Sequence, residues 1–538
     1  MISADLKYEV SEWIKHDPDP KTAAQLQQWL DKNDFEKIKD SFNGFLEFGT
    51  AGLRGPVGPG PSRMNRAVVS RTATGIAAFM KKHGLNSVVI ARDARHGSAE
   101  FAKDSAEILA GAGFKAYVFP SEVPTPVLAF AVNKLKADVG IMVTASHNPA
   151  IDNGYKVYLG GVINGVRYHG SQIISPVDTE ISNCINTADL KPKRSDTYET
   201  VATSVISDYI DSVASICHTP NQLKIVYTPL HGVGAQTFLR VFQSAGFANP
   251  IVVREQEKPD PNFPTTPFPN PEESGVLDLA IEYAKREAAD LIIANDPDAD
   301  RCAIAINDPD HGWRMLRGDE VGAIIGKYLI EKDWINNGAY ANSLVSSSLL
   351  SKMAKQAGIE FHETLTGFKW ISKVANLSFG YEEALGYCID PKSVNDKDGM
   401  SVGLLIAQIV GELRDAGITL TDYLNLIGDE YGFHKTDQIS IRVSDLSIID
   451  ALLHKVMANP PKELTGSGLI SVEDLNKSKN MPTPGVRFYY NDGIRIIIRP
   501  SGTEPKLKCY IEVVSNSKAD AQLRCDLVKK ELTTTLQQ

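Results

Sequence analysis

Apolar and polar positions change period along this chain in blocks. Residues 1–45 carry helical spacing, with Val10, Trp13 and Ile14 on one face and Leu26, Trp29 and Leu30 on another. They predict helices that pack as an N-terminal extension. Beyond them, short apolar runs bounded by turn residues alternate with helical stretches, which is how parallel strands and their crossover helices look in sequence. The first cycle reads as a strand over 87–91, a polar loop over 92–98, a helix to about Gly111 and a strand over 115–119. It ends in the apolar run Val139, Ile141, Val143, which stops abruptly at small polar residues. After an amphipathic stretch over 201–214, a second cycle gives strands over 223–227, 251–253 and 291–294 with a helix between. A third begins near Gly318 and continues through 343–355, and the last unit has strands over 493–498 and 507–514 and a closing helix from Ala519. The pattern predicts an α/β protein of three doubly wound α/β domains plus a smaller C-terminal α+β domain. Expected boundaries are 1–205, 206–316, 317–439 and 440–538.

Composition narrows the functional classes. At 538 residues the chain is too long for one core, and 43% hydrophobic with 23% charged residues carries no disorder signature. No apolar run approaches the roughly 18 residues that cross a bilayer, and charges interrupt any N-terminal signal core, so a cytoplasmic protein is expected. Six scattered cysteines show neither Cys-x-x-Cys nor zinc-ligand spacing, as expected of free thiols. A formal charge of −10 argues against nucleic acid as a partner, and an anionic ligand would need a local basic pocket.

Several polar stretches lie at strand ends, where open α/β sheets gather ligands. Thr144-Ala145-Ser146-His147-Asn148-Pro149 follows the Val139 run, so Ser146 sits where chemistry is expected, although an ordinary β-to-α turn has the same composition. Ten residues on, Lys156 lies in what looks like a turn and short strand, and a hairpin would fold its amine back toward the serine. Residues 48–61 form a Gly-rich loop that presents Arg54 and could hold an anion, but match no ATP or dinucleotide fingerprint. Taken alone, a plain surface loop is the favoured reading there.

Asp296, Asp298 and Asp300 alternate just past a strand and can point three carboxylates at a hard cation, Mg²⁺ or Ca²⁺. An EF-hand is excluded, because Arg301 and Asn307 stand where that loop needs Gly and Glu. Residues 499–505 read as a phosphate cradle in which Arg499 offers a bidentate fork, Ser501 and Thr503 hydroxyls and Gly502 a backbone donor, with Lys506 and Lys508 nearby. In the third unit, the loop containing Thr366, Gly367 and Lys369 could reach an anion, and Glu382 could accept hydrogen bonds from sugar hydroxyls. Solvated turns remain the alternative for each of these taken singly.

Together these stretches resemble the α-D-phosphohexomutases, specifically phosphoglucomutase and phosphomannomutase members with a long N-terminal extension. The resemblance spans nearly the whole chain. It rests on Phe-Gly-Thr-Ala-Gly-Leu-Arg-Gly, Thr-Ala-Ser-His-Asn-Pro with Asn-Gly-Tyr-Lys-Val-Tyr, Asn-Asp-Pro-Asp-Ala-Asp-Arg, Thr-Gly-Phe-Lys-Trp with Tyr-Glu-Glu-Ala-Leu-Gly, and Arg-Pro-Ser-Gly-Thr-Glu-Pro-Lys. It implies four domains around a central cleft, a phosphorylated Ser146, and Mg²⁺ held by Asp296, Asp298, Asp300 and the phosphoserine. Arg499, Ser501, Gly502 and Thr503 would grip the non-reacting phosphate of a small-molecule sugar phosphate. Arg301 would offset charge on the transferring phosphoryl, and Lys156, with Arg54 and His147, would manage the hydroxyl proton. Lysine is a base at neutral pH only with a depressed pKa, so a purely electrostatic Lys156 stays open.

The implied activity is a phosphohexomutase working through a sugar 1,6-bisphosphate, with glucose 1,6-bisphosphate as activator and a monomer or weak dimer as the expected state. One departure bears on substrate: many hexomutases carry Glu-x-Ser where this chain has Glu382-Glu383-Ala384. The variant resembles a subgroup with phosphopentomutases and glucose 1,6-bisphosphate synthases. A sugar-phosphate sensor or scaffold, or a phosphatase, is the rival outside the mutases.

Overall fold

A computed structural model describes residues 2–49, 52–189, 191–334, 338–443, 446–479, 481–500 and 506–537. The chain forms two compact units, Met1–Leu316 with Leu385–Gly411 and Arg317–Ala384 with Glu412–Gln538.

In the first unit, helices Ala4–His16, Pro20–Asp31 and Phe35–Ser41 form the N-terminal extension. Ser3 and Asp19 cap the first two through backbone N–H groups. Their apolar faces meet in a small core of Ile2, Val10, Leu26 and Ile38, against which Trp13, Trp29 and Leu30 pack.

The main sheet places parallel strands Ser87–Arg92, Lys115–Val118 and Val139–Val143 side by side. All five residues of Val139–Val143 are buried, because helices cover both faces of such a sheet. The chain then reverses, and strand Asp152–Leu159 runs antiparallel to it, with Lys156 opposite Met142. Asp152 opens that strand directly, where the sequence pattern suggested a turn first.

The Gly-rich stretch differs more from expectation. Residues Leu53–Pro56 are a strand pairing antiparallel with Asp152–Leu159, and Arg54 sits opposite Gly154. A Cβ on Gly154 would come within 2.5 Å of the Thr144 carbonyl oxygen and 2.9 Å of that of Leu53, so only glycine lets these segments close up. Its glycines and prolines masked the strand.

A second sheet in this unit orders Ile251–Val252, Ile225–Thr228 and Leu291–Ala294 in parallel, with Ala303–Asp308 and Gly312–Met315 added antiparallel. Residues 385–411 complete the unit with the start of helix Gly399–Asp415.

The second unit holds a parallel sheet ordered Glu360–Thr364, Ala339–Ser343, Leu377–Glu382. It also holds the all-antiparallel sheet Phe433–Arg442, Lys506–Ser515, Ile494–Pro500, Val486–Tyr490, Ser467–Asp474, Glu463–Leu464. The closing helix Lys518–Gln537 supplies Cys525, Val528 and Leu532 to the core of that antiparallel sheet. The fold class is therefore α/β with an α+β C-terminal part. Among the described residues no helix is long and apolar enough to cross a membrane, and all six cysteines are free.

Candidate active site

The serine loop and the aspartate loop leave the ends of neighbouring sheets in the first unit and meet. Ser146 follows strand Val139–Val143 with a left-handed φ of 50° and is buried. Its Oγ donates to Asp296 Oδ2 at 2.7 Å and lies 3.2 Å from His147 Nδ1. Its backbone N–H is held by Thr144 Oγ1 at 2.9 Å.

The aspartate loop is equally determined. Asn295 accepts from the Tyr227 hydroxyl at 2.8 Å and donates to the Arg301 carbonyl at 2.6 Å, while the Arg301 N–H donates to Asp296 Oδ1 at 3.1 Å. Ala299, at φ 56°, turns the chain so that all three carboxylates face inward.

Three buried carboxylates repel one another unless cations answer them. Lys156 Nζ lies 2.7 Å from Asp298 Oδ2 and 3.0 Å from Asp300 Oδ2, and Lys397 Nζ lies 3.2 Å from Asp300. Thr125 donates to Asp298 Oδ2 at 2.6 Å. Burial and the two neighbouring carboxylates push the Asp296 pKa up. For Asp300, burial works the same way, but Lys156 and Lys397 outweigh it and hold the pKa down. Burial also opposes the charge on Lys156, yet Asp298 and Asp300 keep its pKa above the ordinary lysine value. The amine is charged at neutral pH in this arrangement, which favours the electrostatic role over the base. His147 is neutral, its pKa lowered well below the usual value by burial and by Arg301 and Arg54.

The donor set suits a hard cation. One oxygen from each of Asp296, Asp298 and Asp300 lies within 4.8 Å of the others, and Oδ1 of both Asp298 and Asp300 is buried without a hydrogen-bond partner among the described residues. Unanswered buried carboxylate oxygens are costly, and a Mg²⁺-type ion would satisfy them.

The remaining basic residues surround this centre. Arg54 Nη1 donates to Asn148 Oδ1 at 3.2 Å, and Arg301 stands 3.9 Å from Asp296 and 3.8 Å from Glu272. Ser146, His147, Arg54, Lys156, Arg301 and the three aspartates thus converge in one unit.

The candidate sugar and phosphate residues lie in the other unit. Gly367, at φ 107°, precedes the short helix Phe368–Ile371 that carries Lys369, and its N–H donates to Glu382 Oε1 at 2.8 Å. Glu382 ends strand Leu377–Glu382 rather than lying in a loop, and Thr366 follows strand Glu360–Thr364. Arg499 lies on strand Ile494–Pro500 opposite Lys508, and its Nε is buried with no hydrogen-bond partner among the described residues. Ser501, Gly502 and Thr503 lie outside the described residues, and Ala384 ends the segment Arg317–Ala384.

Sequence reasoning missed Thr125, Lys397 and Arg95. The run Asn395-Asp396-Lys397-Asp398 before an apolar helix was a usable signal for Lys397, since four polar residues there need partners. Thr125 had only the preceding Pro124 to mark a helix start. Arg95 stood in a polar loop that offered no reason to single it out.

Residues 46–191, 207–312 and 317–428 match phosphoglucomutase/phosphomannomutase alpha/beta/alpha domains I, II and III, and residues 456–530 match the C-terminal domain of the same family. A probable phosphomannomutase of Haemophilus influenzae is 46% identical over 466 residues, covering 85% of this chain and 94% of the relative. A phosphopentomutase of Mus musculus is 34% identical over 572 residues, covering 95% and 91%. In fold, the chain is similar to the crystal structure of a putative phosphomannomutase from Thermus thermophilus, with a TM-score of 0.72 at 22% identity, covering 91% of this chain and 99% of that one.

Proposed function

The chain belongs to the phosphoglucomutase/phosphomannomutase family of mutase enzymes, and from that premise we propose that it interconverts hexose 1-phosphate and hexose 6-phosphate through phospho-Ser146 and a sugar 1,6-bisphosphate. Glucose is the preferred hexose and mannose is also turned over. The carrying observation is the 2.7 Å contact between Ser146 Oγ and Asp296 at the edge of the three-carboxylate cluster.

In the first half-reaction the free sugar hydroxyl attacks the phosphorus of phospho-Ser146. A new O–P bond forms as the Ser146 Oγ–P bond breaks, and the sugar becomes a bisphosphate. The intermediate turns around, and Ser146 takes back the other phosphoryl group. Mg²⁺ held by Asp296, Asp298, Asp300 and the serine oxygen would act as a Lewis acid that offsets phosphoryl charge. Arg301 adds positive charge at the same edge. Neutral His147, 3.2 Å from Ser146 Oγ, would take the hydroxyl's proton and return it to the departing serine oxygen. Arg54 and Lys156 offset phosphoryl charge, and Lys156 and Lys397 keep the carboxylate cluster from repelling the incoming phosphate. Glucose 1,6-bisphosphate would prime the serine. In the second unit Glu382, Thr366, Gly367, Lys369 and Ala384 would face the sugar, and Arg499, Lys508 and residues 501–503 the non-reacting phosphate. The division 1–205, 206–316, 317–439, 440–538 is proposed as the functional one. We place the enzyme in the cytoplasm, a reading that its free thiols support, and propose a monomer or weak dimer.

A second reading is supported by Ala384 and by the phosphopentomutase relative: ribose 1-phosphate as substrate. Glucose 1,6-bisphosphate synthesis is the third. A panel of glucose, mannose, glucosamine and ribose 1-phosphates, assayed with Mg²⁺ and a trace of glucose 1,6-bisphosphate, separates them. The hexose reading expects glucose to have the highest kcat/KM and mannose to fall within about a hundredfold, the range that one contact in a sugar site discriminates. A higher kcat/KM for ribose 1-phosphate would move the chain to the pentomutases. Restoring the hydroxyl with Ala384→Ser should change only the ratio among sugars.

A further inference from the structure

The turn that carries Ser146 is built around one guanidinium. Arg95 Nη2 donates to the carbonyl oxygens of Ser146 and Asn148, each at 2.6 Å, and Nη1 donates to those of Pro149 at 2.8 Å and Asp152 at 3.1 Å. Four carbonyls of a seven-residue segment, 146–152, therefore converge on one side chain that is itself 4% exposed.

The guanidinium is held in turn. Its Nε edge faces Asp93 Oδ2 at 3.3 Å, and Asp93 Oδ1 accepts from the Arg95 N–H at 2.9 Å and from Ser98 Oγ at 2.6 Å. The Asp93 N–H donates to the Val143 carbonyl at 3.0 Å, which ties this support to the strand leading into the serine. One face of the guanidinium lies over the Phe263 ring, 4.8 Å from its centroid. Phe263 belongs to the same half of the unit as the aspartate loop, between strands Ile251–Val252 and Leu291–Ala294.

This arrangement answers a physical need. Ser146 sits at a positive φ of 50°, a conformation that strains a non-glycine residue and persists only where its surroundings over-determine it. Its oxygen must also stay within hydrogen-bond reach of Asp296, since misplacement by about 1 Å costs on the order of a hundredfold in rate. Lysine cannot replace Arg95 here, because it directs its donors from one point and lacks the planar fork that reaches four oxygens.

We infer that Arg95 is a positioning residue for phosphoryl transfer: it clamps the turn 146–152 so that Ser146 Oγ is aimed at Asp296, without itself touching the reacting atoms. The inference rests on the proposed phosphoserine reaction. Lost activity alone would not separate the two, so the test adds a readout independent of turnover.

Arg95→Lys in the full chain should lower kcat at least about a hundredfold with KM for glucose 1-phosphate within about threefold of wild type. Amide hydrogen exchange should quicken in residues 146–152 and stay unchanged in strands Ser87–Arg92 and Val139–Val143. In Arg95→Ala, added methylguanidinium should recover part of the lost kcat. Phe263→Leu keeps all four carbonyl bonds and removes only the ring beneath the guanidinium, so kcat should fall about threefold to tenfold. It decides the matter if Arg95→Lys does not fold. Wild-type kcat and exchange in Arg95→Lys would overturn the inference, and so would quickened exchange spread across both strands, which would make Arg95 a general stability residue. If wild-type protein neither turns over sugar phosphates nor takes phosphate at Ser146, the reaction fails, while the exchange difference still reports on the clamp.

Discussion

The serine and aspartate loops of the first unit differ sharply from the basic strand pair of the second. Around Ser146 nearly every polar group already has a protein partner: Arg95 takes four carbonyls, Asp296 takes the serine hydroxyl, and Lys156 and Lys397 answer Asp298 and Asp300. Among the described residues the Oδ1 atoms of Asp298 and Asp300 are buried there without a hydrogen-bond partner. On strand Ile494–Pro500 it is Arg499 Nε, opposite Lys508, that is buried without a hydrogen-bond partner among the described residues. One region offers carboxylate oxygens to a hard cation, while the other offers a donor to an anion.

The largest effect should come from the preorganised region. Asp298→Asn keeps shape but removes one cation-ligating charge and weakens the partner of Lys156. Titrating Mg²⁺ against initial rate should show a higher requirement and a kcat at least about a hundredfold lower at saturation. Undiminished wild-type turnover in excess EDTA would break the metal half of the contrast.

The anion-seeking region should respond differently. On the proposed phosphate-binding role, Arg499→Gln would remove charge-assisted bonds, typically about 1.5 to 3 kcal/mol, so KM for sugar phosphate should rise about tenfold to a hundredfold. Phosphate uptake at Ser146, read by intact mass after incubation with excess glucose 1,6-bisphosphate, should remain. If KM is unchanged and only kcat falls, the two regions do not divide the work in this way.

A smaller effect concerns stability in the second unit. Asp319 accepts from the Ser347 N–H at 2.7 Å and from the Tyr381 hydroxyl at 3.0 Å, both on Oδ1. Burial, helped by Glu383 and Glu512, pushes its pKa up from 3.8 to about 6. Between those values the folded chain binds the proton more tightly than the unfolded chain, so this group's stabilising contribution is lost as pH rises from about 4 through 6. The loss is on the order of 2 to 3 kcal/mol. Asp319→Asn keeps an acceptor for both donors and does not titrate. Urea midpoints followed by circular dichroism should therefore shift in favour of the variant between pH 4.5 and 7.5, and a constant difference would contradict this.

The contrast also explains what the sequence disclosed. Alternating strand and helix periods set out the three α/β parts, and Ser146 and the three aspartates were legible because each follows an apolar run. The strand Leu53–Pro56 was not, since its glycine and proline read as loop until a partner strand is known. Lys397 joins the site from 97 positions beyond Asp300, and only tertiary contact puts an amine there. Arg95 was least visible, because its function depends on carbonyl oxygens, which every residue carries and no side-chain pattern reveals. Lys156 could be placed by its hairpin, but its charge state depends on Asp298 and Asp300 and emerged only with the fold.

The most direct measurement is the phosphorylation state of Ser146 in active protein. Peptide mapping after incubation with glucose 1,6-bisphosphate should place one phosphoryl group on Ser146, and mixing with glucose 1-phosphate should discharge it at a rate no slower than kcat. Active enzyme with no phosphate at Ser146 under any of these conditions would contradict a phosphoserine route.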